Sequence, residues 1–403
     1  MAPTPLDTTG TRLHEQTDRL RAAGPAARVL LPGGLVAWSV TRGEVVKHLL
    51  THPDVSKDAR KSWPGYRPFA IAWLTAWVDV VSMLTADGDD HKRLKDLVGR
   101  AFTGRRIDAM RPAIAAIVSS LLDELAGLPA GLPVDLRSRF TYRIPSRVIC
   151  DLFGVPDGQR PAMLASIDAV LDHSLTPEQA TVMQRDLYAA MHRLVGTKRK
   201  DPGDDLTSLL LATHQRDDRL SMDELVSTLI LMIGAGSETT VSLLDHAVVA
   251  MLTHPDQLGA VRAAPARWAD VIEESLRLHS PVVHLPLRYA TAEIDLGEGV
   301  VIGKGELILI GFGAHGRDPD VNPDPGRYDI DRRDRQHLAF GHGMHFCLGA
   351  PLARLEAGIA LPALFARFPD LALARPAGSL PPQPSFIVDD VRDLPVILGA
   401  AVG

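Results

Sequence analysis

The stretch Phe340-Gly341-His342-Gly343-Met344-His345-Phe346-Cys347-Leu348-Gly349 decides how this chain is read. Its three glycines let a backbone turn tightly and lie against a flat object with no Cβ in the way. A helix is expected to follow at once, from Ala350 to Phe368, on its apolar three- and four-residue spacing. Cys347 then stands near a helix N-terminus, where unpaired N–H groups and the dipole favour a thiolate, which would serve as an anionic ligand. A lone cysteine is more often a small buried hydrophobe. The glycines and the helix start reverse that balance. His337, His342, His345 and Cys347 also make a Cys/His cluster, but the paired ligand spacing of common structural zinc sites is missing.

Outward from this stretch, composition sets bounds. The 403 residues are 46% apolar and 23% charged, an ordinary globular balance. A formal charge of −6 argues against general binding of nucleic-acid backbones, which calls for a basic chain. Two cysteines, Cys150 and Cys347, exclude a disulfide scaffold, and Cys150 in the run VICDLFGV reads as core. The opening MAPTPLDTTG lacks the pattern of a secretory signal. The longest uncharged apolar stretch, Leu225 to Ser237, is shorter than the ~18 residues of a membrane span. A cytoplasmic protein with no membrane segment is expected.

Ala27 to Val40 reads as two strands around Pro32-Gly33-Gly34. A helix is expected from Thr41, with Glu44 completing a capping box, and the pattern stays helical to about His279. After Pro281, Gly-separated apolar runs from Ile294 to Phe312 read as strands, and further short strand candidates lie near the C-terminus. No linker or repeat interrupts the chain. The expectation is a mainly α fold with a smaller β portion, one domain over residues 1–403.

Ser221 and Glu224 form a capping box that opens a helix running to about Thr253, roughly 45 Å long at 1.5 Å per residue. Inside it lies Gly234-Ala235-Gly236-Ser237-Glu238-Thr239-Thr240. Each mid-helix glycine costs about 1 kcal/mol relative to alanine, so close helix packing or a ligand should need the space. The Thr239 and Thr240 hydroxyls have a local option in the carbonyls of the preceding turn. Glu274-x-x-Arg277, on a helix from about Trp268, reads by itself as a solvent-facing pair worth ~0.2–0.5 kcal/mol.

Together these stretches resemble the haem-thiolate monooxygenases, the cytochrome P450 superfamily in its soluble bacterial class. The resemblance spans nearly the whole chain, and FGHGMHFCLG carries most of it. It implies the fold of that family, with haem b held between the long central helix and the helix after the cysteine. Cys347 becomes the iron ligand, Phe340 packs by the sulfur, and Gly341 and Gly349 shape the loop; thiolate ligation favours O–O cleavage. AGSETT becomes the oxygen groove, with Ala235 and Gly236 making room for O2, and Glu238 and Thr239 as the acid and alcohol of proton delivery. Glu274 and Arg277 become a structural pair under the haem. His91, Lys95, Arg288 and His345 become partners of the haem propionates. Lys95 stands where the family usually has arginine, exchanging a bidentate fork for a point charge.

The implied reaction inserts one oxygen atom of O2 into a C–H or double bond of a bulky apolar molecule such as a steroid, terpenoid or macrolide. Pocket candidates are Trp73 and Trp77 from the aromatic segment Trp63–Trp77, with Leu231, Ala235, Val282, Val283 and Leu285. No nicotinamide or flavin fingerprint appears, so electrons are expected from a ferredoxin and its reductase, docking by Arg100, Arg105, Arg106 and Arg354 on a monomer. A haem sensor or carrier without turnover and a peroxide-driven peroxygenase are the alternatives; Glu238 and Thr239 speak against the first, and the intact Thr239 against the second.

Overall fold

The run from Met222 to Thr253 is a single 32-residue helix because its start is capped and its length is buried. Glu224 N donates to Ser221 Oγ at 3.1 Å while Ser221 N donates to Glu224 Oε2 at 2.8 Å, the expected capping box. The computed structural model describes residues 2–129, 131–171, 176–217 and 220–402. Among these, the central helix is the one segment long and apolar enough to cross a membrane, and 67% of its apolar window is buried inside the protein. Other helices pack around it, chiefly Arg143–Leu152, Trp268–Leu278 and the cysteine helix Ala350–Arg367.

The chain is 55% helix and 11% strand, the expected α-dominated fold. Eleven strands are described: β1 (Thr4–Pro5), β2 (Ala27–Leu31), β3 (Leu35–Val40), β4 (Val55–Ser56), β5 (Pro133–Asp135), β6 (His284–Ala290), β7 (Ile294–Asp295), β8 (Val301–Ile302), β9 (Leu307–Gly311), β10 (Ala372–Leu373) and β11 (Pro395–Ile397). The main sheet runs β1-β2-β3-β9-β6-β4, so strands from both ends of the chain interleave. β2 and β3 form the expected hairpin around Pro32–Gly34. The short β4 and β5 fall in the stretch read as helical, and β5 pairs with β11 across the chain.

One expected cap does not form. The helix over Gly43–Leu50 begins two residues after Thr41, and Asp318 Oδ2 accepts from Gly43 N at 2.6 Å. A carboxylate from a distant loop does the capping, and the buried Thr41 hydroxyl has no partner among the described residues.

The β6–β9 pairing shifts register between Leu285 and Arg288. In a regular strand, residues three apart point to opposite faces. The bulge lets Leu285 and Arg288 line the same cavity.

Candidate active site

A cavity of about 290 Å³ lies between the central helix and the cysteine loop. Its floor is the loop. Gly341 and Gly343 hold φ of 75° and 72°, and a Cβ on Gly343 would stand 2.8 Å from Thr51 Cγ2, so glycine is required there. Cys347 N donates to Phe340 O at 2.9 Å, closing the loop and aiming the thiol at the cavity beside Phe340 and Gly349. The Phe340 ring lies under the Arg354 guanidinium, 4.5 Å from its centre.

The helix N-terminus does less for the sulfur than the sequence suggested. Burial pushes the Cys347 thiol above its usual range, and the N–H groups of Gly349 and Ala350 only partly offset this. A cation bonded to sulfur deprotonates such a thiol outright, so this donor fits a metal ligand better than a free thiolate. The zinc alternative does not assemble, because His337 Nε2 bonds Glu273 at 3.1 Å while His345 Nε2 faces Asp87 at 3.5 Å.

The rim of the cavity is cationic. Arg288 is 3% exposed, finds no hydrogen-bond acceptor among the described residues, and burial pushes it down to about 10. Lys57, 2% exposed, lies beside it and donates to Pro286 O at 2.8 Å; burial and the neighbouring Arg288 charge hold it well below its usual range. The His91 and His345 rings lie 4.4 Å apart with their planes tilted by 60°, and burial holds His345 down to about 4. Lys95 also lines the cavity, its Nζ donating to the carbonyls of Met344 and Phe346. The carboxylate acting on both Arg288 and Lys57 is Asp87, already bonded to Ser56 Oγ at 2.6 Å and Lys57 N at 2.8 Å. Two buried cations with one committed carboxylate leave room for a dianion, and a flat group with two propionates fits this rim over this floor.

On the opposite wall the central helix presents Ala235 and Thr239, and Thr239 Oγ1 donates to Ala235 O at 2.7 Å. Gly236 lines the cavity and also serves packing: the Cβ it lacks would stand 2.6 Å from Ile149 Cδ1 of the neighbouring helix. Glu238 borders the cavity, but its Oε2 accepts from Arg137 at 2.8 Å. Arg137 also bonds Asp390 at 2.9 Å and lies 3.5 Å from Asp245, making a buried cluster around one guanidinium. Burial beside that cluster pushes Asp390 up to about 6.

Trp77, Leu231, Val282 and Leu285 line the cavity as expected. Trp73 does not: its Nε1 donates to Pro32 O at 3.2 Å and its ring packs edge-on against Phe386. Val283 is likewise turned away, packed on Gly313 and 1% exposed, because neighbouring residues alternate along an extended chain. Glu274 and Arg277 are fully buried rather than solvent-facing. Two 2.8 Å bonds join them, and Arg277 gives its remaining protons to the carbonyls of Gly316, Pro325 and Arg327. Sequence reasoning missed Lys57 and Arg137, for which no motif exists.

A profile described as Cytochrome P450 matches residues 162–264 and 269–375. The 2-hydroxy-5-methyl-1-naphthoate 7-hydroxylase of Streptomyces carzinostaticus is 44% identical over 402 residues, 99% of this chain and 98% of the relative. The chain belongs to the cytochrome P450 family. Among solved structures, CYP154A1 from Streptomyces coelicolor A3(2) superposes with a TM-score of 0.92 at 49% identity, covering 98% of this chain and all of that one (100%). The testosterone-bound CYP154C4 from Streptomyces sp. ATCC 11861 gives 0.95 at 41% identity over 100% of both chains. This P450 is therefore a monooxygenase with a haem-iron cofactor, acting on apolar small molecules with electrons from redox partners.

Proposed function

We propose that this P450 hydroxylates or epoxidises a fused-ring apolar substrate of steroid or terpenoid bulk, with macrolides at the upper end of its range. The observation that carries the reading is the distal lining of Trp77, Leu231, Ala235, Val282 and Leu285, which offers carbon surface and few hydrogen-bonding groups. The naphthoate hydroxylase and the testosterone-bound relative point to the same class.

Haem b is the cofactor in this reading, Cys347 its iron ligand, and Arg288, Lys57, His91, Lys95 and His345 the groups around its propionates. When bound, it supplies thiolate-ligated iron for O2 activation. The protein's own part is to exclude water, orient the substrate and move protons. Thr239 offers its hydroxyl at the cavity wall, and Glu238 holds the carboxylate that resupplies it from the Arg137 cluster. A ferredoxin docks on the exposed Arg100, Arg105 and Arg106. Arg354 drops out of that surface, because Glu273 neutralises it through bonds of 2.6 and 2.9 Å. A cytoplasmic monomer of one domain completes the reading.

Two measurements test it. Titration with steroids and naphthoates should shift the ferric spin state at micromolar concentration, and a response confined to small polar ligands would refute the substrate class. Thr239→Ala should keep a normal haem spectrum while reducing equivalents pass to peroxide; coupling that stays at the wild-type level would move the relay elsewhere.

A further inference from the structure

A second convergence of ligating groups lies outside the haem cavity, where four separate stretches of chain meet. His14 comes from the N-terminal helix Leu13–Ala22, His246 from the central helix, His279 from just beyond the helix Trp268–Leu278, and Asp389 from the loop behind Val388. Asp389 Oδ2 stands 2.8 Å from His14 Nε2 and 3.0 Å from His279 Nδ1, while its Oδ1 is 3.5 Å from His246 Nε2. The His246 and His279 rings stack at 4.2 Å and 5°.

We propose that His14, His279 and Asp389 bind a divalent transition-metal ion such as zinc in a two-histidine, one-carboxylate site. Their ligand atoms already lie within 4.8 Å of one another. Zinc bonds of ~2.0–2.2 Å place neighbouring ligands about 3.3–3.5 Å apart, so each Asp389–His pair has to open by only about half an ångström. Imidazole nitrogens with a carboxylate oxygen are the donor set borderline divalent ions prefer. The His14 and His279 side chains are 26% and 28% exposed, which gives the ion a route in and leaves a face for water. His246 stays outside the first three ligands: its Nε2 meets the backbone carbonyl of Asp389 at 3.2 Å and lies 3.5 Å from Oδ1, contacts that hold this residue in place. The ion takes the place of the hydrogen bonds between Asp389 and the two imidazoles: a neutral ring keeps its proton on the nitrogen that faces away from the ion, and a protonated ring releases one proton to solvent.

Such an ion would act on the cavity from behind. Asp389 N donates to Pro281 O at 3.1 Å, and Val282 bridges Val388, both cavity-lining residues. Metal binding fastens both segments to the N-terminal helix, and therefore stabilises the wall that touches substrate.

The test is calorimetric titration of zinc chloride into holoenzyme stripped with chelator, followed by thermal unfolding with the Soret band monitored. One zinc ion per chain with micromolar affinity and a raised unfolding temperature is expected. Both should be lost in His14→Ala, a partly exposed position, and in His279→Ala. His48→Ala probes the neighbouring pair His48 and His52, whose rings lie 5.1 Å apart, and should change neither. Absence of uptake by the wild-type protein overturns the site, and so does uptake that survives His14→Ala but disappears with His48→Ala.

Discussion

Arg277 and Arg288 are both buried, yet their charges are answered differently. Arg277 is 0% exposed and every one of its N–H groups has an acceptor, two in Glu274 and three in backbone carbonyls. Arg288 is nearly as buried and its guanidinium faces the cavity without an acceptor among the described residues. A fully satisfied buried cation is part of the scaffold, whereas one left unpaired at a cavity rim marks where an anion belongs. The difference separates the residues that hold the floor in place from those that hold what rests on it.

The largest expected effect breaks the satisfied side. Arg277→Met takes two charge-assisted bonds from the buried Glu274, leaving it only Arg332 at 3.3 Å and Asp329 N at 2.9 Å, and should cost about 3–5 kcal/mol, read as chemical unfolding of the apoprotein. A loss below roughly 1 kcal/mol would mean the pair behaves as a surface ion pair. Arg288→Met should do the reverse, leaving the apoprotein as stable or more so while haem transfer to an acceptor protein speeds up. Losing charge-assisted bonds worth about 1.5–3 kcal/mol predicts roughly a ten- to hundredfold faster release. Destabilised apoprotein with unchanged haem release would erase the contrast. Lys57→Met should fall between, with a smaller gain in release, because Lys57 already has Pro286 O as a partner.

The smallest effect concerns protons. His284 is 2% exposed, bonds Phe386 O through Nδ1 at 2.8 Å, and burial holds it down to about 4. Its ordinary value is 6.5. Between these the unfolded chain binds the extra proton and the folded one does not, so stability is full above the ordinary value and falls as pH drops toward 4. The apoprotein unfolding temperature should therefore fall between pH 7 and 4.5, less steeply in His284→Phe. An equal slope in the variant would assign the acid sensitivity to other groups, such as His279.

The cysteine loop was legible because its chemistry is local: glycines at Gly341 and Gly343, Cys347 and the following helix lie within a few residues of one another. The capping box at Ser221 was legible for the same reason. The one expected at Thr41 was not, because Asp318 supplies the cap from 275 positions away. Residue type and neighbourhood make Trp73 and Val283 cavity-wall candidates, yet the fold sends both into other packing. At Gly236 both readings of a mid-helix glycine hold, since it lines the cavity and packs against Ile149.

By itself the sequence determined the class of fold, the thiol that faces the cavity, and the order of motifs along the chain, since each rests on spacing within a single helix or loop. Only the tertiary structure decided which charges are answered and which are not. That Arg137 holds Glu238, that Lys57 joins Arg288 at the rim, and that His14, His279 and Asp389 meet at all depends on residues far apart in the chain. Electrostatic energy depends on distance and burial, and neither can be read along a linear sequence.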